Sequence, residues 1–208
     1  MGSVVTDSEG EFGSICCLTI IGEIEGHDIL SSETKTTKYE HVLPKLVLVE
    51  EDPKINGLLI LLNTEGGDVE AGLAIAELIA SMKKPTVSLV LGGSHSIGIP
   101  LAVSAKKSFI VKSASMTVHP VRTYGTVIGV QQNFNYFQKI HSRITNFIVD
   151  HSKISAKRFK ELYTNTEELA ADTGSILYGE EAVKEGIIDK IGGLSDALRC
   201  LKQNSKAD

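Results

Sequence analysis

Apolar positions along the chain switch between two spacings. Ile15 to Ile21 is a continuous apolar run, as expected of a strand buried on both faces. Ser31 to Lys38 is rich in Ser and Thr and reads as a loop or a helix entry. Beyond it, Val42, Leu43, Leu46 and Val49 recur at helical spacing up to Asp52-Pro53. Gly57 to Leu62 is strand-like again. Asp68 stands as an N-cap before Val69, Leu73, Ala76, Ile79 and Ala80, which mark the buried face of a helix that Pro85 follows. Thr86 to Leu91 predicts a further strand, turning through Gly92-Gly93 into a helix over Pro100-Leu101-Ala102. Strands alternating with helices through short glycine turns imply a parallel sheet. Its carboxyl ends gather the Gly66-Gly67 and Gly92-Gly93 turns on one edge, where a site should form.

Ser108 to Val111 and Met116 to Val118 predict two more strands. From about Val127 to His151 the chain has no proline, and Val130, Phe134, Phe137, His141, Ile144 and Ile148 recur at alternating steps of four and three. Ile140 and Phe147 widen this stripe, and His141 interrupts it. One helix of roughly 25 residues is expected, about 37 Å long. The stripe either packs wholly on the domain or, since that length exceeds what the domain needs covered, projects in part to meet another subunit. A shorter helix near Ala156 to Tyr163, a polar stretch to Ser175, a helix start at Gly179-Glu180-Glu181-Ala182 and a final helix from Leu194 to Leu201 complete the pattern. The organisation expected is a loose leader over 1–13, a single domain over 14–203 and a short tail over 204–208.

At 208 residues such a domain buries most of its apolar surface without disulfides or a structural metal. A net charge of −5 without a long Lys/Arg run lacks the basic footprint of a nucleic-acid binder. The opening Met1 to Gly13 is polar and acidic, unlike a signal peptide, and no apolar run reaches membrane-spanning length. The three cysteines form an odd set, with Cys16 and Cys17 on opposite faces of one strand; this points to reduced, buried thiols in a cytoplasmic protein. No His/Cys/Asp/Glu spacing suggests a metal site, and no cofactor is implied.

The chemistry-bearing stretch is Gly92-Gly93-Ser94-His95-Ser96-Ile97-Gly98. A serine where a strand turns into a helix can hold its Oγ in the open, with free backbone N–H groups beside it to receive an oxyanion. Met116-Thr117-Val118-His119-Pro120 then supplies an imidazole, which an unactivated serine needs as a proton acceptor. The bland alternatives are a small residue chosen for tight packing at Ser96 and a hydrogen-bonded core histidine at His119. Ser94 reads as a turn or capping residue, and His95 should point elsewhere. His27, His41, His141 and His151 read as structural or surface groups.

Taken together and in order, these motifs resemble the Clp proteolytic-subunit family of serine peptidases, and within it the translocation-enhancing, TepA-type branch, over about Ile15 to Leu198. Asn63-Thr64-Glu65-Gly66-Gly67 is similar to the family's Asn-Ser-Pro-Gly-Gly turn. His95-Ser96-Ile97-Gly98 is similar to Ala-Ser-Met-Gly, Met116 to Pro120 to Met-Ile-His-Gln-Pro, and Gly179 to Asp189 to the family's Ser-Ala-x-Glu-Ala-x-x-Tyr-Gly-Leu-Ile-Asp.

The resemblance implies an α/β, ClpP/crotonase-like fold of repeated β-β-α units, with a parallel sheet core and the 127–151 helix as a projecting handle. It implies Ser96 as nucleophile, His119 as general base, and Gly67 and Ile97 as N–H donors of an oxyanion hole. Asp172 would be the third triad member, in a segment about two residues longer than the family's, with Glu168 as fallback and a turn aspartate as the bland alternative. Glu65 replaces the family's proline and would set a carboxylate near the peptide groove, disfavouring acidic substrates. The implied partners are peptide substrates and further copies of the chain, in a heptameric ring that is single or doubled. The short leader leaves docking of an AAA+ unfoldase open. Two other functions stay open: a crotonase-like acyl-CoA enzyme using the glycine turns for an enolate, and a translocation-support or assembly protein with an impaired triad.

Overall fold

The structure, a computed structural model, describes residues 2–6, 13–122, 129–167 and 173–204. Its elements in chain order are β1 (Ser3–Val5), β2 (Ser14–Glu25), β3 (Thr36–Lys38), α1 (Tyr39–Glu51), β4 (Ile55–Gly67), α2 (Val69–Ser81), β5 (Thr86–Ser94), α3 (Gly98–Val103), β6 (Lys107–Ile110) and β7 (Ser115–Val118). There follow α4 (Val130–Asp150), α5 (Ala156–Tyr163), β8 (Ser175–Tyr178), α6 (Gly179–Lys184), β9 (Lys190–Ile191) and α7 (Leu194–Asn204).

The parallel core is present. Strands run in the order β1-β2-β4-β5-β6-β9, with β2, β4, β5, β6 and β9 mutually parallel. Its apolar runs are unbroken because both faces are covered. Leu18, Ile20, Leu58, Ile60 and Leu62 join the large core that α1, α2 and α3 share. Ile15, Leu59, Val87, Leu89 and Phe109 face the other way, against Ala197 and Leu201 of α7. Cys16 and Cys17 divide between these two cores, as adjacent strand residues must. Cys16 and Cys17 are free thiols, and burial pushes both above their ordinary range.

Two antiparallel pairings depart from the purely parallel expectation. Ser3–Val5, expected within a loose leader, lies as an edge strand opposite Cys16 to Leu18. Its own side chains are exposed, so backbone pairing holds it rather than burial. β8 arises at the end of the expected polar stretch and pairs with β7 from Ser115/Tyr178 to Val118/Ser175. Among the described residues, β7 pairs with the main sheet at Gly93/Ser115 alone.

The long helix is α4, with 21 residues and a length of about 31 Å. The expected start at Val127 lies outside the described residues. α4 buries Ile140, Phe147 and Ile148 in its second half, whereas Val130, Phe134 and Tyr136 in its first half are exposed. Arg143 clamps the packed half to α2 through a two-pronged bond to Glu70, 2.5 and 3.0 Å long. Among the described residues no helix is long and apolar enough to cross a membrane.

Candidate active site

The Asn63 side chain and a main-chain bond at the ends of β4 and β5 lock the two glycine turns together. The Asn63 carboxamide oxygen accepts from Gly93 N–H at 3.0 Å, and His95 N–H donates to Thr64 O at 3.0 Å. Gly66 lies so close to the serine turn that a Cβ there would stand 2.8 Å from Ser96 Cβ and 2.9 Å from His95 O. Only glycine fits this approach, and its φ of +98° calls for glycine as well. On the far side of the turn, Asp68 caps α2 as expected, its Oδ1 accepting from Ala71 N–H at 2.8 Å.

Ser96 is the one described non-glycine residue with positive φ, at +54°. The left-handed region costs an L-residue about 1–2 kcal/mol, so the surrounding bonds must hold it there. Ser96 N–H donates to Thr117 O at 2.9 Å, Gly98 N–H to His95 O at 2.8 Å, and Ile99 N–H to Ser96 O at 3.0 Å. Ser94 is buried, and its hydroxyl donates to Gly98 O at 2.6 Å, which confirms the turn-stabilising reading of that serine. His95 points away from the cavity, and its Nδ1 receives both the Thr117 N–H at 3.1 Å and the Thr117 hydroxyl at 2.9 Å. These contacts stitch the serine turn to β7, and His119 follows Thr117 by two residues.

Ser96, Ile97, Gly67 and His119 consequently line one cavity of about 220 Å³. Its apolar wall is Val118, Val121, Ile144, Phe159 and Tyr163, and its polar rim holds Glu65, Arg122 and His141. Among the described residues no hydrogen bond joins Ser96 to His119. The His119 Nδ1 instead bonds the Pro120 carbonyl at 2.7 Å. A carbonyl can only accept, so Nδ1 carries the proton and Nε2 is the free, basic nitrogen. Burial holds the His119 imidazole below its ordinary range; the Pro120 carbonyl opposes that shift and the Arg122 charge adds to it. A neutral imidazole near pH 7 is what a general base requires.

The expected site residues thus separate into two groups. Ser96, His119, Gly67 and Ile97 come together around the cavity, whereas Asp172 and Glu168 lie outside the described residues. Gly174, two positions beyond Asp172, packs directly on the Val118 carbonyl and the His119 backbone. His141 was expected to be structural or on the surface, yet it lines the cavity, stacked on Tyr163 at 5.0 Å and 24°. The signal for it was the break it makes in the apolar stripe.

His95, His119 and His141 are all held below the ordinary imidazole range, with burial the leading cause for each. Since the unfolded chain binds protons at these sites more tightly, their contribution is fully present above about pH 6.5 and is lost as pH falls toward the folded values. Thermal midpoints should therefore drop between pH 7.5 and pH 5.5, before the depressed carboxylates of Glu70 and Glu185 begin to protonate. A flat or rising midpoint across that interval would contradict the assigned shifts.

Fold and cavity together define an α/β protein of the ClpP/crotonase-like type, with a serine and a histidine at the carboxyl edge of its sheet. The Clp protease family model matches residues 17–194, and the chain belongs to that family of ClpP-like serine peptidases. Over 195 residues it is 53% identical to the translocation-enhancing protein TepA of Halalkalibacterium halodurans, covering 94% of this chain and 76% of that protein. It is 25% identical over 169 residues to the ATP-dependent Clp protease proteolytic subunit 2 of Treponema denticola, covering 78% of this chain and 80% of that one. A solved structure of a ClpP1 mutant from Listeria monocytogenes shares the fold, with a TM-score of 0.68 at 23% identity over 88% of this chain and 94% of that chain.

Proposed function

We propose that the protein is a serine endopeptidase that cleaves short or unfolded peptides through an acyl-enzyme. Ser96 Oγ attacks the scissile carbonyl while His119 Nε2 takes its proton. The Gly67 and Ile97 N–H groups receive the oxyanion, and His119 returns the proton to the leaving amine. Asp172 is the proposed third member, its carboxylate stabilising the imidazolium that forms at His119. The observation that carries this reading is the left-handed backbone of Ser96, held on the wall of the cavity that His119 also lines. Strain of that kind persists where surrounding bonds impose it, and it collects at reactive sites. A fluorophosphonate probe should label Ser96 in the native protein and fail to label Ser96→Ala; an unlabelled native protein would overturn the assignment.

Self-association into a ring, heptameric as the family resemblance implies and single or stacked, is part of the same proposal. The exposed Val130 and Phe134 on the first half of α4 support it, since a monomer would leave that apolar face in water. The proposed setting is the cytoplasm. Glu65, exposed on the cavity rim, is proposed to select against acidic peptides. Exchanging it for proline, or for glutamine, should raise kcat/KM for a peptide with an acidic residue beside the scissile bond by about 2–5-fold, the range of one exposed charge pair. An unchanged ranking of acidic against neutral peptides would remove Glu65 from specificity.

A second reading, translocation support without proteolysis, has one observation in its favour. His119 Nδ1 is engaged by the Pro120 carbonyl, and no hydrogen bond links its ring to Ser96 among the described residues. The 53% identical relative also carries the name of a translocation-enhancing protein. That reading expects no probe labelling at any pH.

A further inference from the structure

A single peptide plane lies between two imidazoles of the cavity. The carbonyl of the Pro120–Val121 peptide bonds His119 Nδ1 at 2.7 Å, and the N–H of the same peptide donates to His141 Nε2 at 3.1 Å. Each partner's role is fixed by chemistry. The amide N–H can only donate, so His141 Nε2 is unprotonated, and neutral His141 carries its proton on Nδ1. Bonds at the two ends of one amide polarise it in the same sense and strengthen each other. His141 is itself fixed, being rooted in α4 and stacked on Tyr163 of α5.

We propose that His141 is a positioning residue for His119. By anchoring the Pro120–Val121 peptide, it presents the carbonyl that holds the general base in its Nδ1–H tautomer, with Nε2 left as proton acceptor. The inference rests on the Ser96–His119 reading above and adds to it a neutral orienting group built from backbone. Protonation of His141 removes the acceptor of the Val121 N–H and places a cation near His119. The charged and titratable groups around it are His119 beyond β7, Arg122 and Glu65 on the cavity rim, and Tyr163 on α5. Burial, the leading cause, keeps His141 neutral near pH 7.

Three substitutions separate positioning from packing. His141→Phe keeps the ring volume and the stack but has no acceptor; His141→Gln keeps an acceptor at similar reach; His141→Asn has one that is too short. Two readouts apply: the His119 tautomer from side-chain ¹³C shifts in histidine-labelled protein, and the pH profile of Ser96 labelling by the fluorophosphonate. His119 in the native protein should be the Nδ1–H tautomer. His141→Phe and His141→Asn should lose that preference and label about tenfold more slowly, within the penalty of a misplaced catalytic group. In the Phe variant the acid limb should also lose one titration. His141→Gln should stay within about threefold of native.

A native Nε2–H tautomer, a Phe variant indistinguishable from native, or a Gln variant as impaired as Phe would each overturn the inference. The tautomer of native His119 decides the matter even if a variant fails to fold. Absence of labelling in native protein, with the tautomers behaving as expected, would instead sink the peptidase reading and leave the positioning role standing.

Discussion

Alanine at Ser96 should lower kcat for peptide hydrolysis by about 10⁴- to 10⁶-fold, the range seen when a serine nucleophile is removed from a working triad. The fold should survive the change. Only the hydroxyl is lost, alanine meets the same left-handed backbone as serine, and the bonds from Ser96 N–H to Thr117 and from Ile99 N–H to Ser96 O are made by the main chain. His119→Ala should cost a similar factor, and the double variant little more than either single one, because nucleophile and base act as one unit. Residual hydrolysis above water would come from the Gly67 and Ile97 donors and from substrate binding. Steady-state hydrolysis of a fluorogenic peptide, with thermal melts to establish folding, checks all three variants. A folded Ser96→Ala protein within tenfold of native activity would move the nucleophile elsewhere. Additive losses in the double variant would mean that Ser96 and His119 do not work together.

Much of this architecture was legible in the residues because burial writes itself into sequence. The apolar runs at Ile15 to Ile21, Gly57 to Leu62 and Thr86 to Leu91 mark β2, β4 and β5, whose two faces are both covered. Asp68 announced the start of α2 because a short carboxylate that satisfies free N–H groups is a local device. Features held by backbone left weaker traces. β1 pairs through the main chain with its side chains in water, and β8 is a four-residue strand whose short Ile176-Leu177-Tyr178 run follows a polar stretch directly. The strained φ of Ser96 is imposed by partners as distant as Thr117, so no property of serine itself could reveal it.

The candidate site divides in the same way. Ser96 and His119 could be named because their types, order and glycine context match a chemical requirement, whereas Gly67 and Ile97 were named through the resemblance of their turns to the family's motifs. His141 could not, although it visibly broke the α4 stripe, because its partner is a backbone N–H twenty residues earlier rather than a side chain. Arg122, Phe159 and Tyr163 reach the cavity from other elements whose approach depends on the tertiary fold.

Gly67→Ala should be the most damaging conservative change outside the reacting groups. Gly67 has φ +142°, a conformation that strains any L-side chain, and an added Cβ would stand 2.7 Å from Ile24 N and 3.0 Å from Ile24 C. Those atoms are the main chain of the neighbouring strand and cannot swing aside as a flexible side chain would. Asp68 N–H bonds Ile24 O at 3.0 Å at the same point, so relief requires parting β2 from β4 and loosening the cap of α2. The expected cost is about 2–4 kcal/mol, as for other left-handed or backbone-clashing replacements. That corresponds to a fall of roughly 4–16 °C in the melting midpoint of a domain this size. Gly193→Ala is the matched control, since a Cβ there meets nothing within 4 Å and the midpoint should move by no more than about 2 °C. Because the displaced backbone also carries a proposed oxyanion donor, Ser96 labelling in Gly67→Ala should slow even well below its melting point. Equal midpoints for the two variants would show that β2 yields at Ile24, and the rigid β2–β4 edge could then no longer be held responsible for presenting the Gly67 N–H.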